Sequence, residues 1–275
     1  MTRRIATTFA RLRDEGRGAL MPFVTVGDPS PAASPEILRA VIRGGADLVE
    51  LGFPYSDPLA DGPTIQQSSQ RALAAGTTLD QVFAIAEGLR RETEVPLVLM
   101  TYFNPILQRG PERYLATAKE VGIDGLIVPD LPPDEGRDFY AACDAAGIDP
   151  VLLLAPTSTD DRIRLAAAGC RGFLYYVSLT GITGARTHLA ADLSDKLGHI
   201  RTFTDLPLAV GFGVSPPDHV AEATRVADGA IVGSALVRVI EQHQAAPDLA
   251  DRVESFVASL AAGLCGPPAQ LTPSH

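Results

Sequence analysis

Eight apolar, β-branched runs recur along the 275 residues, segments with helical spacing lie between them, and the length suits one large domain. Together these features predict an α/β chain folded as a single (β/α)8 TIM barrel, with an open doubly wound sheet as the structural competitor. The expected strands are 20–26, 47–52, 96–100, 125–128, 149–154, 172–177, 207–211 and 229–232. Several are apolar on both alternating faces, as strands buried between a core and a helical layer must be. The expected helices are 36–43, 79–91, 111–121, 134–146, 160–168, 189–197, 218–225 and 234–243. Ser34-Pro35-Glu36 and Thr159-Asp160-Asp161 each place a cap residue before acidic first-turn positions.

Two pieces fall outside the repeat. Ile5, Phe9 and Leu12 form an apolar stripe on an extra N-terminal helix suited to closing the bottom of a barrel. Residues 249–260 read as a trailing helix. The expected division is a catalytic barrel over 1–262 and a frayed tail over 263–275.

Composition narrows the function. Hydrophobic residues make up 46% and charged residues 20%, which excludes a disordered chain. A net charge of −10 argues against a nucleic-acid groove or an anionic membrane as partner. Cys143, Cys170 and Cys265 have neither CxxC nor His-paired spacing, so no zinc site or disulfide framework is indicated. No signal-peptide pattern follows Met1, and no run of 18 apolar residues occurs, so the expectation is a soluble, cytoplasmic protein.

Barrel active sites lie at the carboxyl ends of the strands, and the segment 47–62 is the most informative there. Glu50 sits inside an apolar strand, sharing a face with Leu48, while Val49 and Leu51 share the other. A carboxyl in such a place either pairs with an arginine or the backbone, or stands with a raised pKa as a general acid/base. Asp61 lies on the following loop. It either caps the helix that starts near Thr64 or supplies a second carboxyl in a different environment, hence a second role. No histidine lies in or beside this strand to complete a metal ligand set.

After the seventh and eighth strands come Gly211-Phe212-Gly213 and Gly233-Ser234-Ala235, the second opening a helix. Such glycines make tight turns, or they let backbone N–H groups and a helix N-terminus hold a phosphate. The uncharged stretch 179–185 after the sixth strand is either a plain connection or a lid that excludes water. Phe23, Met100, Ile127 and Phe212 fall at or near strand ends, as ordinary core or as an apolar slot for a flat ring.

The run Leu48-Val-Glu-Leu-Gly-Phe-Pro-Tyr-Ser-Asp-Pro-Leu-Ala-Asp-Gly-Pro-Thr-Ile-Gln66 resembles the signature of the tryptophan synthase alpha subunit family. The likeness continues through 22–29, Gly181-Ile-Thr-Gly184, Gly211-Phe-Gly213 and Gly233-Ser-Ala235, covering roughly 1–260 in order. It implies retro-aldol cleavage of indole-3-glycerol phosphate to indole and glyceraldehyde 3-phosphate, without metal or organic cofactor in this chain. It also implies Glu50 as the acid/base, Asp61 as acceptor of the indole N–H, and Tyr175 as an assisting residue. Gly184 joins the phosphate set, and Thr180, Gly181 and Thr183 belong to the lid, where Leu179 replaces a residue that is commonly basic. The resemblance further implies a beta-subunit partner in an alpha2-beta2 complex, carrying the pyridoxal phosphate, with Asp57, Pro58 and Asn104 at the contact. Other phosphate-binding barrels are the alternative, such as indole-glycerol-phosphate synthase or a phosphosugar isomerase. The synthase relies on a strand lysine, and none of the predicted strands has one. A weakly active module that mainly activates a beta subunit is the remaining alternative.

Overall fold

A computed structural model of the chain describes residues 3–177, 186–212 and 217–264, and only the backbone of 186–192, 212 and 217. Eight parallel strands close into a barrel in chain order, with β1 paired to β8. They are β1 (Ala19–Thr25), β2 (Val49–Gly52), β3 (Leu97–Met100), β4 (Gly125–Ile127), β5 (Asp149–Leu154), β6 (Leu174–Val177), β7 (Leu208–Phe212) and β8 (Gly229–Val232). The helices that the site and its supports use are α1 (Arg4–Asp14), α2 (Ser34–Arg43), α3 (Pro63–Ala74), α4 (Leu79–Arg90), α5 (Phe103–Arg109) and α6 (Pro111–Glu120). Further along are α7 (Arg137–Ala145), α8 (Asp160–Gly169), α9 (Arg186–Arg201), α10 (Pro217–Thr224), α11 (Ser234–His243) and α12 (Leu249–Ala261). No helix among the described residues is long and apolar enough to cross a membrane.

The strands bury both faces, and the two faces belong to two cores. Leu48, Met21, Val98, Ile127 and Val151 point into the barrel, where Ile5, Phe9 and Leu12 of α1 close the bottom. Val49, Leu51, Leu97 and Leu99 point outward against the helices. The stripe on α1 thus does what its spacing predicts.

Three expectations change. Ser34 is not a cap: Ala33 takes that position, and Ser34 opens α2 with its Oγ accepting from Gly27 N–H at 2.7 Å. The loop after β1 folds back over the helix start and uses the hydroxyl there. Thr159 does cap α8, accepting from Arg162 N–H. A helix not expected, α5, fills 103–109; its first N–H is met by Asp130 Oδ1 at 2.9 Å, from the loop after β4. That cap comes from 27 residues away, so local pattern does not reveal it. Leu264, inside the expected tail, is buried, and 265–275 lie outside the described residues.

The lower rim is built from carboxylates paired with arginines and strand N–H groups. Asp47, just before β2, accepts Leu20 N–H at 3.0 Å and both terminal nitrogens of Arg17 at 2.8 Å. Asp124, before β4, accepts Leu97 N–H at 2.9 Å, Arg90 at 2.7 Å and Arg4 at 3.1 Å. Asp228, before β8, accepts Leu208 N–H and Arg201, each at 2.8 Å. Each aspartate staples one strand to the N–H of the strand before it and neutralises its charge on an arginine.

Candidate active site

At the opposite, carboxyl end of the strands a cavity of about 240 Å³ opens, walled by β1, β2, β3, β5, β6, β7 and β8 and the loops after them. Alternation along β2 sends Glu50 inward, level with Phe23 of β1 and Val98 of β3. Its side chain reaches the cavity yet is only 1% exposed, and neither carboxylate oxygen has a hydrogen-bond partner. Burial without a counter-charge favours the neutral acid and pushes the Glu50 pKa up to about 8. Of the two readings left open, an ion pair and a poised acid, the geometry supports the second.

Asp61 lines the same cavity, half-buried. It does not cap α3: Gly62 holds the cap position with no side-chain bond. Its backbone is pinned instead, with its N–H on Pro58 O at 3.0 Å and its carbonyl accepting from Gln66 Nε2 at 2.9 Å. Burial raises its pKa to about 6, and an interaction with the Tyr102 hydroxyl works in the opposite sense. Tyr175, on β6, completes the group. Burial holds its pKa well above the ordinary phenol value, and the charges of Glu50 and Asp61 add to the effect. The three residues expected to do chemistry therefore share one cavity.

Phe23 and Met100 also line it. Ile127 does not: it is fully buried in the barrel interior, among the residues packed above α1. It is the third residue of a short inward-alternating strand, in register with Met100 of β3. Phe212 ends β7 opposite Val232, and its side chain lies outside the described residues. Gly211, Gly233 and Ser234 line the cavity as expected, with Ser234 the first residue of α11. The N–H groups of that first turn have no intrahelical acceptors, so they can face an anion. Gly211 has a further, steric reason to be glycine: a Cβ there would stand 2.5 Å from both Cε2 and Oη of Tyr175. Gly184, Gly213, Thr180, Gly181 and Thr183 lie outside the described residues. Asp57 is exposed in the loop before Asp61, accepting from the Ser56 hydroxyl, and Pro58 is half-buried beside it. Asn104 is exposed on α5.

Sequence reasoning missed Tyr102. It is 4% exposed, stacks on Tyr55 with centroids 4.8 Å apart, and its hydroxyl accepts from Ala60 N–H at 3.1 Å. With that lone pair occupied, its own proton is free for the Asp61 carboxyl. The signal available was only its place two residues past the end of β3. Ile65, Leu153 and Ile231, also in the cavity wall, were equally unnoticed. For Leu153 and Ile231 the inward alternation of β5 and β8 was the readable sign.

Among the described residues no Lys or Arg lines the cavity, so an anion there meets backbone donors and the end of α11, while two carboxyls of different pKa face the other part. Fold and site together define a barrel of the acid–base class, with two carboxyls of different pKa placed for proton transfer. The comparisons specify it further. The family model described as tryptophan synthase alpha chain matches residues 9–264. Tryptophan synthase alpha chains of Geobacter sp. (strain M21) and Geobacter sulfurreducens are 48% and 49% identical over 261 and 257 residues. These alignments cover 95% and 94% of this chain, and 97% of each relative. Among solved structures, tryptophan synthase subunit alpha from Legionella pneumophila superposes with a TM-score of 0.89 at 33% identity, covering 96% of this chain and 99% of that one. An aminoacrylate-bound tryptophan synthase from M. tuberculosis gives 0.86 at 32% identity, covering 96% and 100%. The chain belongs to the tryptophan synthase alpha chain family, whose lyase reaction cleaves indole-3-glycerol phosphate.

Proposed function

We propose that Glu50, Asp61 and Tyr175 carry this cleavage, and that the observation with most weight is the partnerless, protonatable carboxyl of Glu50 facing the cavity. Between about pH 6 and 8 Glu50 is mainly the neutral acid and Asp61 mainly the anion. Glu50 gives its proton to indole C3, and the ring becomes an indolium whose N–H⁺ is held by the Asp61 carboxylate. The Glu50 carboxylate then takes the proton of the glycerol hydroxyl beside the scissile bond. That oxygen's electron pair forms the aldehyde carbonyl, and the C–C pair flows into the indolium, releasing neutral indole. Glu50 ends protonated, as it began, so the cycle closes with no redox change. Tyr175 orients the substrate between the two carboxyls.

The phosphate is assigned to Gly211, Gly213, Gly233 and Ser234 with Gly184, and the indole to the wall containing Phe23, Met100 and Phe212, with Ile127 beside Met100. Thr180, Gly181 and Thr183 are assigned to a covering segment. The steps are proton transfers, so the chemistry asks no organic cofactor of this chain. The partner is a beta subunit carrying the pyridoxal phosphate. Exposed apolar side chains beside Asp57, Pro58 and Asn104 support that surface: Leu59 is 93% exposed and Leu107 53%. The cytoplasm is the expected compartment.

The test is indole release from indole-3-glycerol phosphate, with and without a beta subunit. Indole production by the wild type that is lost in Glu50→Gln supports the assignment. Near-normal production by that variant overturns it.

A further inference from the structure

The two ends of the cavity are carried by two helices that pack side by side, α3 and α11. Asp61 lies just before Pro63, the first residue of α3, and Ser234 is the first residue of α11. About two turns down each helix a single guanidinium joins them. Arg71 of α3 places Nε and Nη2 on the two oxygens of Asp28, both at 2.8 Å, and Nη1 on Glu241 of α11 at 2.7 Å. Asp28 is 2% exposed and lies on the loop that follows β1, the strand that brings Phe23 into the cavity. The same helix is fixed to the end of β1 by a buried hydrogen bond, 2.6 Å long, between Ser68 Oγ and Thr25 Oγ1. In the cavity the two helix starts nearly touch. A Cβ on Gly233 would lie 3.6 Å from Phe23 Cβ and 3.8 Å from Ile65 Cδ1 of α3.

Resting on the functional reading above, we propose that Arg71 is a positioning residue that sets the span between the indole end of the cavity, at Asp61, and the phosphate end, at Ser234. A guanidinium suits this task because its donors are fixed in one plane, so two carboxylates bound to it are held at a set separation and angle. The substrate must at once meet Asp61 with its ring, Glu50 with its C3 atom and α11 with its phosphate. A change in span leaves each end intact as a binding site but removes the alignment of C3 with Glu50, and alignment is a large part of the rate.

This gives a readout that a merely structural ion pair would not move. Half-ligands, indole alone and glyceraldehyde 3-phosphate alone, each feel one end; the whole substrate feels the distance between them. The informative variant is Glu241→Gln, because Arg71 keeps its bidentate bond to Asp28 and the buried carboxylate stays neutralised. A matched control exists. Glu254 of α12 pairs with Arg43 of α2 at 2.7 Å, and its side chain is 37% exposed, as is that of Glu241. Glu254→Gln therefore removes an equivalent interhelical pair away from the cavity.

On the full chain, Glu241→Gln is expected to lower kcat/KM for indole-3-glycerol phosphate roughly tenfold. Its dissociation constants for indole and for glyceraldehyde 3-phosphate, by calorimetry, stay within about twofold of wild type. Glu254→Gln leaves all three values unchanged. Arg71→Lys, which keeps the charge but not the fork, loses at least as much activity as Glu241→Gln. Equal kcat/KM in wild type, Glu241→Gln and Glu254→Gln overturns the inference, as does a loss of half-ligand affinity as large as the loss in kcat/KM. A wild type that releases no indole overturns the functional reading and this inference with it; an active wild type with an unimpaired Glu241→Gln overturns this inference alone.

Discussion

Asp47 and Glu50 stand three residues apart, one just before β2 and one within it, and the protein treats them in opposite ways. Asp47 has a backbone N–H and a bidentate arginine. The Glu50 carboxyl has no hydrogen-bond partner among the described residues. The same contrast divides the molecule. On the lower rim Asp47, Asp124 and Asp228 are held by Arg17, Arg90 and Arg201 and by strand N–H groups. On the upper rim Glu50 and Asp61 line a cavity that no arginine or lysine among the described residues lines. A carboxylate tied to both an arginine and a strand N–H is a fastener. A carboxyl with neither is costly to the fold and available to a substrate. The lower rim spends its charges on stability and the upper rim keeps them for chemistry.

The sharpest way to break the comparison is Glu50→Gln, which should reduce cleavage at least 10³-fold, on the order of 4 kcal/mol in the barrier, without lowering thermal stability. Steady-state indole release and a melting curve on the same sample check both halves. Next comes the effect of pH on stability. A carboxyl near 8 in the folded chain and at its ordinary 4.5 in the unfolded one leaves the native state holding the extra proton across that window. Stability contributed by Glu50 is therefore fully present below about pH 4.5 and is lost as pH rises toward 8, by roughly 4 kcal/mol. Denaturant midpoints of wild type minus Glu50→Gln, measured from pH 5 to 8, should fall along that line.

Asp124→Ala probes the other rim. It leaves Leu97 N–H without its acceptor and the largely buried Arg90 without its carboxylate, and should cost about 3 kcal/mol of stability with kcat unchanged. Asp61→Asn should lower kcat/KM by about 10², because an amide cannot hold the indolium charge, while the fold persists. The smallest effect belongs to Tyr102→Phe. Without the hydroxyl that favours its anion, Asp61 titrates higher, so the acidic limb of the kcat/KM profile, expected near pH 6, moves up by a fraction of a unit. The groups around it that also set this limb are Glu50 and Tyr175 across the cavity and Asp130 near Tyr102.

Much of this was legible in the chain itself. Period-two apolar runs and their helical partners define the barrel, and α1 closes it as its stripe predicts. Glu50 was legible because alternation forces a charged residue into a place with no water. Its isolation was not, since that depends on where every arginine of the folded chain ends. The rim staples escaped notice for the same reason: each joins an aspartate to a strand and an arginine distant in sequence, as Asp124 joins Leu97 and Arg4. Tyr102 and α5 depend on loops from elsewhere, through Ala60 and Asp130, and Ser34 was diverted from capping by Gly27.

The most direct test is the protonation state of Glu50 in the free protein, read as the carbonyl stretch of a protonated carboxyl in the infrared difference spectrum between wild type and Glu50→Gln. A band present at pH 7 that titrates away near pH 8 is the predicted result. A spectrum showing only carboxylate at pH 6 would contradict the account.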